Sequence, residues 1–306
     1  MYGPPPRRVM EVFASLPDRF KTHSHDSAWA QVQLNDGRIP AFLEGPCFDA
    51  QGQLWVTDIP WGRLFCIDPN GNVECALEYD GEPNGLAIHP DGRIFIADHK
   101  NGLMVFDPGS GRIESYLERA LVQQFKGVND LTFARNGDLY FTDQGQTGLQ
   151  DPTGRVYRLT ADGRLDCLLS NVPSPNGLAL NLQEDVLWLA ATRANAIWRV
   201  PLVKQMGLVT KVGTYIQLSG GGGPDGIALD SAGGLAVCHV GLGAVWIFDE
   251  LGQPALRLDS KESRMTTNCA FGGKDRKKLF VTAGTQVLVA DVDVAGAPTP
   301  CEALPT

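Results

Sequence analysis

A short apolar run ending in a small or acidic residue recurs six times along the chain, and this recurrence restricts the fold more than any other feature. The copies are Leu54–Asp58 (LWVTD), Ile94–Asp98 (IFIAD), Leu139–Asp143 (LYFTD), Leu187–Ala191 (LWLAA), Leu235–His239 (LAVCH) and Leu279–Ala283 (LFVTA). Their starts lie 40, 45, 48, 48 and 44 residues apart. Runs of this length, often preceded by a Gly-containing turn, read as strands. A strand-built period of about forty to fifty residues is the signature of propeller blades.

Each unit reads as four strands. In the first, Pro46–Asp49 is the expected inner strand, Leu54–Asp58 the second, Arg63–Asp68 the third and Val73–Glu78 the fourth. Turns fall at Ala50–Gly52 and Pro69–Gly71, and again at Pro90–Gly92 and Pro108–Gly111 in the second unit. The Asn-Gly and Asp-Gly pairs among them tolerate the positive φ of tight hairpins. The expectation is therefore an all-β, six-bladed β-propeller with four-stranded antiparallel blades around a central channel. One domain covers 1–306: an extension at 1–35, then six repeats over 36–295. Val9–Leu16 is expected to add an outer strand to the last blade, closing the ring and covering its edge. A β-sandwich gives no reason for six similar units, and no Trp-Asp or Gly-His signature marks a WD40 propeller.

Composition narrows the partners. The net charge of −9 offers no basic footprint for phosphate backbones, so nucleic acid is not an expected partner. No run of eighteen apolar residues exists, so no membrane span is expected. Met1–Arg8 is proline-rich and basic without the apolar stretch of a secretory signal. The seven cysteines (Cys47, Cys66, Cys75, Cys167, Cys238, Cys269 and Cys301) are odd in number and form no CxxC pair. That usage suits a reducing cytoplasm. Monomer and homo-oligomer are left equally open.

Ten or eleven residues before each second strand stands a residue with a side-chain oxygen: Glu44, Asn84, Asn129, Asn176, Asp225 and Asn268. A single Asn-Gly or Asp-Gly pair is ordinarily a solvated turn. Six oxygen donors at matched positions of a six-fold repeat are different, because inner strands converge on the propeller axis. Carboxylates at units one and five, with amides between, suit one hard divalent cation. Calcium is the favoured ion; magnesium, manganese and zinc are the others considered. If inner strands run away from this ring, the loops after the second strands return to its face. They bring Trp61, His99, Gln144, Arg193 and His239 as candidate pocket residues. The long loop Asp143–Arg155, with Gly145, Gly148 and Gly154, is a candidate lid, and Gly220–Gly223 a place for close backbone approach.

With the ring assembled, the chain resembles the SMP-30/gluconolactonase/LRE-like family of propeller hydrolases. The matching stretches are Phe42–Pro46, Gly127–Asp130, Ser174–Gly177, Pro224–Gly226 and Thr267–Gly273, in order over nearly the whole chain. The resemblance implies metal ligation by Glu44, Asn176 and Asp225, with Asn129 ligating the metal or contacting substrate. It implies hydrolysis of a lactone, typically of a sugar acid, and it makes Asp225 the candidate general base or nucleophile. Pro83-Asn84-Gly85 departs from the mammalian members and is similar to the bacterial and fungal branch, which leaves the substrate open.

The implied chemistry is Lewis-acid polarisation of the carbonyl, with attack driven by Asp225 or by metal-bound water. Asn84, Asn129 and Asn268, with His99, Arg193, His239 and Trp61, are the expected substrate-facing groups, and His99 or His239 the candidate proton shuttles. Two other functions use the same residues: a phosphotriesterase or phosphofluoridate hydrolase, and a non-catalytic metal-binding propeller. No Gly-x-Ser-x-Gly elbow or His-Glu-x-x-His motif is present, and His23-Ser-His25-Asp26 reads as a polar loop.

Overall fold

In the computed structural model, which describes residues 4–261 and 263–299, six small antiparallel sheets surround one axis. The inner strands are Leu43–Phe48, Pro83–Ile88, Val128–Phe133, Pro175–Leu180, Gly223–Leu229 and Thr266–Gly272. Each pairs with the next strand in sequence, so every blade is a meander from axis to rim. The second strands coincide with the six repeated runs to within one residue. The first inner strand starts three residues earlier than expected, which moves Glu44 from a turn into the strand itself.

The core is divided into slabs between blades. Trp55 and Leu64 of blade one pack on Leu86, Ile94 and Phe106 of blade two. Leu54, Val56 and Phe65, on the opposite face of blade one, meet Phe280 of blade six. A second strand thus buries both faces, and Leu54–Asp58 is buried at every position. This is why the repeated runs are almost continuously apolar. The outer strand Val73–Glu78 faces water on one side, and its burial alternates residue by residue.

Ring closure uses the chain's beginning. Glu11–Ser15 pairs antiparallel with Gln286–Asp291 and becomes the outer strand of blade six, as expected. Arg7–Val9 also pairs, in parallel, with Pro254–Asp259 of blade five, an addition the repeat pattern does not announce. One segment therefore covers the outer edges of two neighbouring blades. Between it and blade one, the chain builds a cap from a 3-10 turn, Asp18–Phe20, and a short helix, Ala28–Leu34. Ser27 Oγ accepts the Ala30 N–H at 3.2 Å to start the helix, and Asn35 ends it with φ 57°. Trp29 and Ala30 then pack on Ile59, on the loop following the second strand of blade one.

Among the described residues Cys66, Cys75, Cys167, Cys238 and Cys269 are free thiols; Cys301 lies outside them. No helix among those residues is long and apolar enough to cross a membrane.

Candidate metal centre

The ring is set by two local devices. The first is a buried aspartate at the end of a second strand. Asp58 Oδ1 accepts the N–H of Phe42 at 2.9 Å, Asp98 accepts that of Glu82 at 3.1 Å, and Asp143 Oδ1 accepts that of Gly127 at 2.9 Å. Each N–H lies two residues ahead of a ring residue: Glu44, Asn84 and Asn129. The acidic ends of three repeated runs are thus fasteners that fix where the inner strands begin.

The second device is a bulge. In every blade the pairing of inner and second strands shifts register near the ring position, between Glu44 and Cys47 in blade one and between Pro83 and Leu86 in blade two. The same break follows in blades three to six. A bulge kinks the strand and re-aims its side chains, here repeated six-fold about the axis.

The glycine after four of the ring residues serves crowding. Gly85 and Gly177 have no positive φ, so no turn demands them. A Cβ at Gly177 would stand 2.5 Å from the Asp225 carbonyl, and one at Gly85 would stand 2.8 Å from Cα of Asp130 and collide with its carboxylate. Blade three carries Asp130 in the glycine slot, and its side chain fills the space Gly85 vacates. Gly85→Ala is therefore expected to cost about 1–3 kcal/mol, read as a lower urea midpoint at unchanged slope.

All six ring residues are no more than 8% exposed. Glu44 Oε2 accepts from Asn268 Nδ2 at 2.9 Å and from the Gly45 N–H at 2.8 Å. Asn268 Oδ1 accepts the Cys269 N–H at 2.8 Å, so this amide braces Glu44 with both ends engaged. Asn129 donates through Nδ2 to Gln144 Oε1 at 3.0 Å, and Gln144 donates on to Ser174 at 2.9 Å. Asn176 hydrogen-bonds Asp225.

Electrostatics sets the ring apart from the rest of the channel. Burial pushes the Glu44 carboxyl up to about 7. Burial and the neighbouring Glu44 push Asp130 up to about 8. Asp225 is driven well above the carboxylate range by burial, then by Glu44 and Asp130; Arg193 opposes this only at a distance. Three carboxylates in a dry channel, with no paired base, form an arrangement that a divalent cation would relieve. Among the described residues no three His, Cys, Asp or Glu side chains converge as a chelating set, so a cation here must draw on the amide oxygens too. An all-oxygen mixture of this kind fits calcium, magnesium or manganese, and lacks the nitrogen and sulfur ligands typical of zinc. Asp130 was not singled out as a site residue from sequence; its signal was the acid standing where other units have glycine.

The other expected pocket residues divide. Arg193 lies beside the ring, donating to the Gly222 carbonyl at 3.2 Å, with its charge felt by Asp225. Trp61 is stacked on His23, ring centroids 3.4 Å apart, with His25 edge-on, so the His23–Asp26 segment braces the rim. His239 is fully buried: Nε2 meets the Gly220 carbonyl at 2.9 Å and Nδ1 accepts from Trp246 at 3.2 Å. Both nitrogens are taken, so its place is to hold the glycine loop 220–223. Loop 143–155 is fastened to blade four, with the buried Thr147 Oγ1 accepting from Ser174 N at 3.2 Å. Below the ring the channel continues as a largely apolar cavity of about 320 Å³, with Asp130 and Asn268 in its lining and Ala297–Thr299 among the residues beside it.

Residues 42–285 match the family described as the SMP-30/Gluconolactonase/LRE-like region. A Staphylococcus aureus protein named lactonase drp35 is 31% identical over 223 residues, covering 69% of this chain and 68% of the relative. Among solved structures, a gluconolactonase from Xanthomonas campestris superposes with a TM-score of 0.73 at 23% identity, over 94% of this chain and 99% of that one. A calcium-binding protein, regucalcin, from Agrobacterium tumefaciens gives 0.72 at 24% identity, over 86% and 94%.

Proposed function

The chain belongs to the SMP-30/gluconolactonase/LRE-like family, and from that premise we propose that it is a lactonase, opening the ester bond of a lactone at a divalent cation held by Glu44, Asn129, Asn176 and Asp225. The observation that carries this reading is the ring itself: buried carboxylates crowded together, with no ion-paired base among the described residues, beside buried amides of the neighbouring blades. A hard cation bound there supplies Lewis-acid polarisation of the substrate carbonyl.

The chain's own residues do the rest. Asp225 is the first-choice acceptor for the proton of the attacking water, because burial, and then crowding by Glu44 and Asp130, makes its carboxylate basic. The Asn129 amide, its nitrogen spent on Gln144, presents its oxygen to cation or substrate. Asn84, a ring residue, and Arg193, beside the ring at the Gly222 carbonyl, are the proposed groups that orient substrate oxygens. The proposed lactone is a small γ- or δ-lactone of the sugar-acid kind, after the activities named for the relatives. Calcium is the proposed ion, after the named calcium-binding neighbour. The free thiols suit a reducing compartment, and we place the protein in the cytoplasm on that ground.

The test is a panel of aldonolactones, simple γ-lactones and one phosphotriester, assayed by proton release after EDTA treatment and re-addition of calcium, magnesium, manganese or zinc. Lactone opening should vanish with the metal and return with calcium. Faster cleavage of the phosphotriester would move the function to that class, and stoichiometric metal binding without any turnover would make the protein a binding propeller.

A further inference from the structure

The five histidines differ in what their ring nitrogens do. His239 has both engaged inside blade five. His23 holds the Pro40 carbonyl at 2.8 Å while stacked on Trp61, and His25 lies in the exposed cap beside Ser24. His89 sits in the turn after an inner strand, on the face away from the ring, paired with Asp91. His99 differs from His89 in that its second nitrogen is buried. Its Nδ1 meets Glu82 Oε2 at 2.9 Å, and its buried Nε2 has no hydrogen-bond partner among the described residues.

The dyad stands at the junction of blades two and three on the ring's face. The His99 N–H donates to the Glu82 carbonyl at 2.9 Å, so the two residues are locked by backbone as well as side chain. Glu82 is two residues ahead of Asn84. The Nε2 edge lies against Gly127, two residues ahead of Asn129, where any Cβ would collide with the imidazole. Two residues of strand span roughly 7 Å, so the imidazole is bracketed by two ring amides at about that reach. Gly127, with φ 146°, has no side chain, and the imidazole edge takes the space that a Cβ would fill.

We propose that Glu82 and His99 form the proton-donating dyad of the reaction, with His99 delivering a proton from Nε2 to the leaving ring oxygen. This rests on the lactonase reading. Water adds its oxygen to the acyl carbon and yields a proton to Asp225. The acyl C–O bond of the ring then breaks, and its electron pair stays on the departing oxygen, which takes the Nε2 proton. Glu82 accepts from the Nδ1 N–H throughout and holds the ring in place, imidazolium before the transfer and neutral imidazole after it. The proton on Asp225 returns to His99 through solvent, and the net change is lactone plus water to hydroxy acid. Alkyl lactones need this help because their leaving alkoxide is about as basic as hydroxide. A phenolic lactone needs little, since its leaving group has a pKa of about 10.

That difference supplies the test. Wild type, His99→Gln and Glu82→Gln are assayed with their cation on an alkyl γ-lactone and on a phenolic lactone, and cation affinity is measured by calorimetry. His99→Gln should lower kcat/KM on the alkyl substrate by about 10²–10⁴-fold while the phenolic substrate loses less than about tenfold. Glu82→Gln should move both in the same sense by less, and cation affinity should stay unchanged. Equal losses on the two substrates, or no loss on either, would overturn the dyad alone. A wild-type protein that opens neither lactone would overturn the lactonase reading and the dyad with it.

Discussion

Asp225→Asn is expected to lower lactone turnover by at least about 10³-fold while leaving the propeller folded. The carboxylate has two uses in one place: it contributes negative charge to the cation ring and it is the best acceptor for the proton of the attacking water. Asparagine preserves shape and the contact with Asn176, and removes only the charge. Glu44→Gln should cause a loss of similar size by a different route. Its Oε2 still accepts from Asn268 and Gly45, but the ring loses a full negative charge, so cation affinity falls first. Calorimetry separates the two: Glu44→Gln should weaken the cation more than it slows the metal-saturated enzyme, and Asp225→Asn should do the reverse. Full turnover by a metal-loaded Asp225→Asn protein would remove this residue as the base. Unchanged cation affinity in both variants would remove the ring as the metal centre.

The cation-free protein should lose stability as pH rises, opposite to the usual behaviour of carboxylates held by positive partners. Glu44 and Asp130 titrate near 7 and near 8 in the folded chain, and Asp225 is raised well above the ordinary carboxylate range by burial and by those two neighbours. In the unfolded chain all three titrate near 4, so between about pH 4 and pH 8 the folded state holds more protons than the unfolded one. Stability then falls across that window, with the full penalty reached only above the folded values. Thermal melts in EDTA should show Tm dropping by at least about 5 °C from pH 5 to pH 8. Calcium should restore it most at pH 8, where protons compete least with the cation for the carboxylates. The same logic makes cation-free Asp225→Asn more stable than cation-free wild type at pH 8, though far less active. A flat Tm in EDTA between those pH values would mean that these carboxylates are not crowded as the structure has them.

Much of this was legible in the residues because the repeat exposes its own exceptions. Six runs at one period announced the blades, and six oxygen-bearing positions at a fixed offset announced the ring before any coordinate was needed. The ring-closing strand was legible as an apolar segment ahead of the repeats, and Glu11–Ser15 takes that place. Asp130 was hidden because its neighbour Asn129 already satisfied the pattern. Only the approach of blade two, through Gly85, explains an acid there. His239 looked like a pocket residue by register, since it ends a second strand as Asp58 and Asp98 do. Its side chain instead turns into the protein toward Gly220 and Trp246.

What the sequence determined by itself was the class of fold and the identity of the six ring positions. Both depend on short-range regularity: strand periodicity, turn chemistry and a repeat length, which a chain carries whether or not it is folded. What only the tertiary structure decided was which groups are charged, braced or free. The inner strands bring residues as distant as Glu44 and Asn268 to 2.9 Å, and exclude water from three carboxylates at once. Acidity and proton-transfer roles arise from that crowding in a low-dielectric channel, and no local pattern encodes it.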